Sequence, residues 1–266
     1  MSQITIPTAS EQLSNTSNSQ ETAIEKNPSV AVILPTYCEA GNIENLIREI
    51  KNLLADSLVL VIDDSSHDGT ATIVEELQKE YDNILCIKRP SKLGLGTAIT
   101  DGFRTILSLR RPPSHIVTMD ADYSHNPNDL LELIAMAQKG YDLVIGSRYI
   151  KNGEIVGWHA LRRLISRVAN ILASTMVAMK IHDCTSGYRC YSKKYIQNVL
   201  DHLHSQTYEI QIETVKQAWT RQFKVKEVPI TFKSRKKGKS KLTKKEFYGF
   251  LSYILRNKMS IAKNRD

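Results

Sequence analysis

The chain has 266 residues, 41% of them hydrophobic, enough for one large core or two small ones. Its net charge of +8 is local: Lys233 to Lys245 carries eight Lys/Arg and no acid, as many charges as the whole surplus. A nucleic-acid binder would spread that charge over a broad face, so the balance argues against one. Cys38, Cys86, Cys184 and Cys190 have no Cys-x-x-Cys spacing, which argues against a zinc or disulfide framework and for reduced thiols.

Residues 1–28 are rich in Ser, Thr, Gln, Asn and Glu, with no apolar core and no cationic start, and predict a disordered tail rather than an address. Val30 to Leu34, closed by Pro35, predicts a buried first strand. Helical spacing over Asn42 to Leu54 follows, then a strand at Leu58 to Ile62 and a helix over Gly69 to Gln78. Ile84 to Ile87 predicts the third strand and Gly94 to Leu109 the third helix. The fourth strand is His115 to Met119, followed by a helix over Asn128 to Gln138 and a strand at Leu143 to Ile145. This alternation predicts an α/β fold with a mostly parallel sheet covered by helices on both faces. The charge-free run Val168 to Met179 is too short to span a bilayer, which takes about 20 apolar residues.

In such sheets ligands gather at the carboxyl ends of the strands, so chemistry should follow each apolar run. It does so after strands one, two, four and five: Pro35-Thr-Tyr-Cys-Glu39, Asp63-Asp-Ser-Ser-His-Asp-Gly69, Asp120-Ala-Asp122 and Gly146-Ser-Arg-Tyr149. Asp120 and Asp122 alternate off one strand and aim the same way. Two adjacent carboxylates repel unless a cation lies between them, and oxygen ligands suit Mg²⁺ or Mn²⁺. Blander roles stand beside these. Asp63 and Asp64 can cap the next helix, Asp68-Gly69 is a common turn, and Gly94-Leu-Gly96 fits close packing better than a phosphate loop.

These motifs, in this order, resemble the family 2 glycosyltransferases. Trp158 with Arg162 and Ser166, Asp183-Cys-Thr-Ser-Gly-Tyr-Arg189, Glu227-Val-Pro-Ile230 and Arg235-Lys-Lys-Gly-Lys-Ser-Lys241 narrow the resemblance to the dolichol-phosphate (polyprenol-phosphate) mannosyltransferases. The resemblance covers Val30 to Leu242 and implies a GT-A (Rossmann-like) domain over residues 29–242. A C-terminal amphipathic helix and tail, residues 243–266, would form an acceptor-side extension. By position, Pro35, Tyr37, Glu39, Ile62 and Asp64 match nucleotide-binding residues. Asp120, Ala121 and Asp122 match the metal and diphosphate motif, with Asp120 and Asp122 as ligands of Mg²⁺ or Mn²⁺. Arg148, Arg235 and Lys241 match basic residues that hold phosphates. Cys38 stands where Asn is usual, and Ser124-His125-Asn126 replaces Gln-His-Pro, which leaves the Gln's contact in doubt at Ser124.

Leu161, Leu164, Ile165, Val168, Leu172, Met176 and Met179 form an apolar stripe at helical spacing, with Arg162, Arg163 and Arg167 off it. Arg162 either belongs to a solvated basic face or joins Arg148 on an acceptor phosphate. Asp183 to Arg189 is a polar loop that the resemblance places beside the site. The 235–241 loop, with Gly238 and Ser240, is expected to be mobile and either closes over the donor or is an exposed basic loop. Phe247 to Leu255, flanked by Lys244, Lys245, Arg256 and Lys258, either lies in a membrane interface or packs as a last helix. The expected reaction is inverting transfer of mannose from GDP-mannose to a polyprenyl (dolichyl) phosphate, with Asp122, Arg148 and Arg162 nearest the chemistry. Glucose or another sugar as cargo, or a non-catalytic nucleotide-binding subunit, are the alternatives. The expected setting is the cytosolic face of a membrane, the endoplasmic reticulum in a eukaryote, with a membrane surface and a small membrane-anchoring partner protein as candidate contacts and no nucleic acid.

Overall fold

The computed structural model describes residues 28–175 and 180–234. Val30–Thr36 (β1), Leu58–Asp63 (β2), Ile84–Lys88 (β3), His115–Thr118 (β4) and Leu143–Ser147 (β5) are the five predicted strands; four of them reach one or two residues further than predicted, and β4 stops one residue short of Met119. Between them lie Ile43–Leu53 (α1), Thr70–Glu80 (α2), Leu95–Ser108 (α3) and Leu130–Gln138 (α4), the last entered through a 3-10 turn at Pro127–Asp129. The later chain adds Glu154–Val156 (β6), Ala160–Ser174 (α5), Arg189–Ser192 (β7), Lys193–Val199 (α6), Ile210–Thr220 (α7), Val225–Pro229 (β8) and Thr231–Lys233 (β9).

Seven strands form one sheet in the order β3-β2-β1-β4-β7-β5-β8, and β6 pairs with β9 in a small parallel ribbon. Among the described strands only β7 runs against its neighbours, inserted antiparallel between β4 and β5. The expected GT-A-like architecture is therefore present, as a mixed sheet with one reversed strand.

Alternation along the strands builds two cores. Ala31 and Ile33 of β1, with Leu58, Leu60 and Ile62 of β2, pack under Phe103 and Ile106 of α3 and Ile196, Ile212 and Val215 of α6 and α7. Val30, Val32 and Leu34, with Val59 and Val61, pack on the other face under Ile43, Leu46, Ile47 and Ile50 of α1 and Leu130 and Leu133 of α4. Both faces are dry, so the central strands read as unbroken apolar runs.

The predicted loop from Asp183 to Arg189 ends sooner than expected, because Arg189 opens β7 and is fully buried. Its guanidinium donates to Ser186 O, Cys184 O, Gln211 O and Thr214 Oγ1, which satisfies a charge the sequence alone would place in water. Among the described residues no helix is long and apolar enough to cross a membrane. Met176, Met179, Arg235, Lys241, residues 1–27 and the 243–266 extension lie outside the described residues.

Candidate active site

A cleft opens at the carboxyl ends of β1, β2 and β4. Pro35, Thr36, Tyr37 and Glu39 line it from β1, Asp64 from β2, and Asp120, Ala121 and Asp122 from β4. Lys92, Gly94 and Leu95 close it from the loop after β3, and Tyr208 from the loop before α7.

The turn after β1 is held by side chains of the loop that follows β2. Asp63 accepts from Thr36 Oγ1 at 2.9 Å, from Ser66 N at 2.9 Å and from Ser66 Oγ at 2.6 Å. Asp68 accepts from Ala40 N and from both the backbone N–H and hydroxyl of Thr70, whose Oγ1 in turn accepts from Glu39 N. Glu39 is buried and takes Asn42 Nδ2 at 2.9 Å. Cys38 stands at φ +57°, in the left-handed region that Asn tolerates better than most residues, and its N–H donates to Ser66 Oγ. Its Sγ lies 3.5 Å from His67 Nδ1.

Asp64 serves the cleft instead. Its carboxylate is ion-paired with the buried Arg89, and its Oδ2 accepts from Gly94 N at 3.0 Å. Burial raises the Asp64 carboxyl above its ordinary value, and Arg89 and the Gly94 N–H oppose that rise. Arg89 is completed by Thr97 Oγ1 and Gly94 O.

Gly94-Leu-Gly96 is a packing motif. A Cβ on Gly96 would lie 2.2 Å from Ser205 O, and one on Gly94 2.6 Å from Gln206 O. Gln206 O accepts from Gly96 N at 2.9 Å, so the start of α3 is partly closed by chain rather than open to phosphate. That docking brings the 205–208 segment, and Tyr208 with it, to the cleft.

At the end of β4 the two carboxylates have different surroundings. Asp122 is nearly buried and accepts from Ser124 N at 3.0 Å, while the Asp120 side chain is 40% exposed. Asp120 N donates to Nδ1 of His125, whose ring is buried between Tyr188 and Phe232. Burial lowers the His125 pKa, against the pull of Asp120 and Asp122, so its imidazole is neutral and oriented by the backbone. Gly187 leaves room for Asp120: a Cβ there would sit 3.3 Å from Asp120 Oδ1 and 3.5 Å from Gln211 Nε2. No group of three or more His, Cys, Asp or Glu able to hold a metal occurs among the described residues. Two carboxylates facing a cleft fit an ion that takes its remaining oxygens from substrate phosphates and water, the habit of Mg²⁺.

Arg148 does not line the cleft but adjoins it. Its Nε and Nη2 donate to Asp183, and Nη2 also to Thr185 Oγ1. Its guanidinium lies over the rings of Tyr149, Trp158 and Phe232, and Arg162 lies 4.1 Å above the same Trp158 ring. Arg148 and Arg162 thus share the Trp158 ring.

Of the expected site residues, Pro35, Tyr37, Glu39, Asp64, Asp120, Ala121 and Asp122 meet in one cleft. Ile62 is fully buried in the core, and Ser124 is buried and not among the lining residues. Arg89, Lys92, Tyr208 and Gln211 were missed. The strand-end rule applied after Ile87 would have found Lys88-Arg89; nothing local marks Tyr208 or Gln211.

The glycosyl transferase family 2 model matches residues 31–200. The chain belongs to glycosyl transferase family 2. This transferase is 38% identical over 214 residues to the polyprenol monophosphomannose synthase of Mycolicibacterium smegmatis, covering 80% of each chain. It is 34% identical over 215 residues to the undecaprenyl-phosphate mannosyltransferase of Micrococcus luteus, covering 80% of this transferase and 87% of that protein. In fold it is similar to glucosyl-3-phosphoglycerate synthase from Mycobacterium tuberculosis, solved with Mn²⁺, uridine diphosphate and glucosyl-3-phosphoglycerate. The TM-score is 0.63 and the identity 16%, over 98% of this transferase and 86% of that chain. The resemblance read from the motifs is thereby borne out at the level of family, fold and enzyme class.

Proposed function

We propose that this transferase moves mannose from GDP-mannose to a polyprenyl phosphate, with inversion and with Mg²⁺ or Mn²⁺ as helper. The observation that carries the reading is the meeting of Asp64, Asp120 and Asp122 in one cleft, with Arg148 and Arg162 against a shared indole beside it. The mannose and the polyprenyl phosphate are supported by the relatives' activities, and the guanine nucleotide by the motif resemblance.

In this reading Asp64, positioned by Arg89, meets the nucleotide base, and Tyr37 and Glu39 wall its pocket. Asp120 and Asp122 would hold the divalent ion, which would neutralise charge on the diphosphate leaving group. Arg148 and Arg162, beside the cleft, would draw in the acceptor phosphate, and Arg235 and Lys241 would stabilise charge growing on the departing nucleotide. The acceptor oxygen attacks the anomeric carbon in line with the departing nucleotide. A phosphomonoester loses its second proton near about pH 6, so the nucleophile is already anionic and needs no general base. Neutral His125, held by Asp120 N, fits a site that positions rather than abstracts.

The test incubates the protein with Mg²⁺ or Mn²⁺, a short polyprenyl phosphate and, separately, GDP-mannose or UDP-glucose, then weighs the lipid. A mannosyl lipid from GDP-mannose alone supports the reading. A glucosyl lipid from UDP-glucose overturns the donor, and turnover without a glycosylated lipid overturns the acceptor.

A further inference from the structure

Strand β9 joins parts of the site that the main sheet leaves apart. It is three residues long and pairs with β6, Phe232 opposite Ile155. A two-stranded ribbon is marginally stable alone, so its neighbours fix its place. Lys233 N donates to Ser124 O, two residues past Asp122, and Ser234 N donates to Val156 O, two residues before Trp158. Ile230 N, one residue before the strand, donates to Ser147 O beside Arg148. The Asp129 carboxyl accepts from Thr231 N–H. The ribbon therefore stands between the loop after β4 and the side of the site that carries Arg148 and Trp158.

Phe232 fills the gap between them. Its ring meets the buried His125 edge-on, with centroids 5.3 Å apart and planes at 78°, and His125 accepts from Asp120 N. It meets Trp158 in the same way, at 5.4 Å and 75°. Edge-to-face is a preferred aromatic arrangement, and an aliphatic side chain cannot reproduce it. The Arg148 guanidinium lies 5.3 Å from the same ring, and Trp158 carries Arg162. Phe232 is half-buried, belongs to neither hydrophobic core and does not line the cleft. A ring so placed neither builds the core nor meets the donor. What it sets is the spacing between the Asp120 loop and the two arginines.

We propose that Phe232 is a positioning residue, the spacer that holds the acceptor arginines at reacting distance from the donor. The proposal rests on the acceptor reading of Arg148 and Arg162. Transfer needs the phosphate oxygen about 3–3.5 Å from the anomeric carbon, and an error of about 1 Å costs about a hundredfold in rate. The nucleotide pocket of Tyr37, Glu39 and Asp64 is built from β1 and β2, with which β9 does not pair. Loss of the ring should therefore leave the donor in place and the acceptor out of line. Water then competes for the anomeric carbon. Attack by the phosphate oxygen breaks the bond to the nucleotide and yields glycosylated lipid and nucleoside diphosphate. Attack by water breaks the same bond, releases a proton to solvent, and yields free sugar and the same diphosphate. Phe232 governs the first attack and not the second.

The experiment gives the full-length chain Mg²⁺ or Mn²⁺, GDP-mannose and a short polyprenyl phosphate, and measures glycosylated lipid and free sugar in the same reaction. Phe232→Leu stays apolar and loses the ring, whereas Phe232→Tyr keeps it. Phe232→Leu should lower kcat for transfer about tenfold or more, leave the donor KM within about twofold, and raise free sugar per transfer about tenfold. GDP affinity in calorimetry should be unchanged, and Phe232→Tyr should restore the parent's product ratio. Four results overturn the proposal. Transfer and hydrolysis that fall together would make the ring a support of the whole site. A fall in GDP affinity would trace the effect to the nucleotide contacts, and a rise in acceptor KM at unchanged kcat would make it one of binding. Parent-like transfer by Phe232→Leu would make the ring dispensable. If the parent glycosylates no lipid from any donor, the acceptor reading falls and takes this proposal with it. Transfer by the parent with an unaltered product ratio in Phe232→Leu removes the proposal alone.

Discussion

Arg148 and Asp183 form a closed, buried pair: Nε to Oδ2 and Nη2 to Oδ1 are both 2.7 Å, and Arg148 N reaches Oδ2 at 3.0 Å. Glu227 of β8 fixes the partner loop by accepting from His182 N and Asp183 N. The strand end that carries Arg148 and the loop that carries Asp183 are therefore one unit. Removing the carboxylate strands a guanidinium in a dry site. Asp183→Asn should cost about 3–5 kcal/mol in urea unfolding. A variant as stable as the parent would show that the pair is dispensable.

The same pair sets an acid dependence. Burial pushes the Asp183 carboxyl up, but the Arg148 charge and hydrogen bonds, its backbone N–H included, together with the Arg189 charge, bring the net shift downward. A carboxylate lowered in the folded state contributes its full stability above the unfolded value, about 4, and loses it as pH falls through the folded value. The stability difference between parent and Asp183→Asn should be flat from about pH 6 to 8 and shrink below about pH 4. A difference that widened in acid would contradict the sign.

Arg89 keeps Asp64 usable. Without it, burial raises the Asp64 carboxyl unopposed by the guanidinium. Arg89→Met should weaken GDP binding in calorimetry. It should also move the acid loss of binding upward by about one pH unit or more, because opposite charges shift a neighbour by that much. An unshifted profile would separate Asp64 from nucleotide recognition.

Asp120 and Asp122 should be indispensable together with a metal. Asp122→Ala should lower turnover by about a hundredfold or more, and chelation should abolish it until Mg²⁺ or Mn²⁺ is restored. Full activity of Asp122→Ala in metal-depleted buffer would end the proposed mechanism.

Two glycines separate space from backbone conformation. Gly96→Ala drives a methyl into Ser205 O, which cannot swing aside, and should cost about 1–3 kcal/mol and disturb Tyr208 at the cleft. Gly69 stands at φ +89° with nothing within 4 Å of an added Cβ. Gly69→Ala should cost about 1–2 kcal/mol through strain alone, without that effect on nucleotide binding. Thermal melts and GDP titration of both variants distinguish the cases.

The first half of the molecule was legible because its signals are local. Five apolar runs closed by polar residues are strands whatever the rest of the chain does, and the carboxyl-end rule then places Asp64, Asp120 and Asp122 near one another. The second half was less legible. β7 is a four-residue strand that begins with a fully buried arginine, and the carbonyls of Cys184, Ser186 and the distant Gln211, with the hydroxyl of Thr214, make that burial tolerable. Nothing near Arg148 in sequence names Asp183 as its partner, and nothing near Asp64 names Arg89.

Helix α5 shows where the division falls. Its apolar stripe is read directly from the spacing of Leu161, Leu164, Ile165, Val168 and Leu172, and a stripe ordinarily predicts a buried face. The sequence determined that the stripe exists, which strands form, and which carboxylates follow them. The tertiary structure decided that the stripe faces outward and that a reversed strand separates β4 from β5. It also decided that Arg89 answers Asp64 and Arg148 answers Asp183. Periodicity fixes how side chains are arranged around an element's own axis, whereas burial depends on surfaces brought up by segments far along the chain.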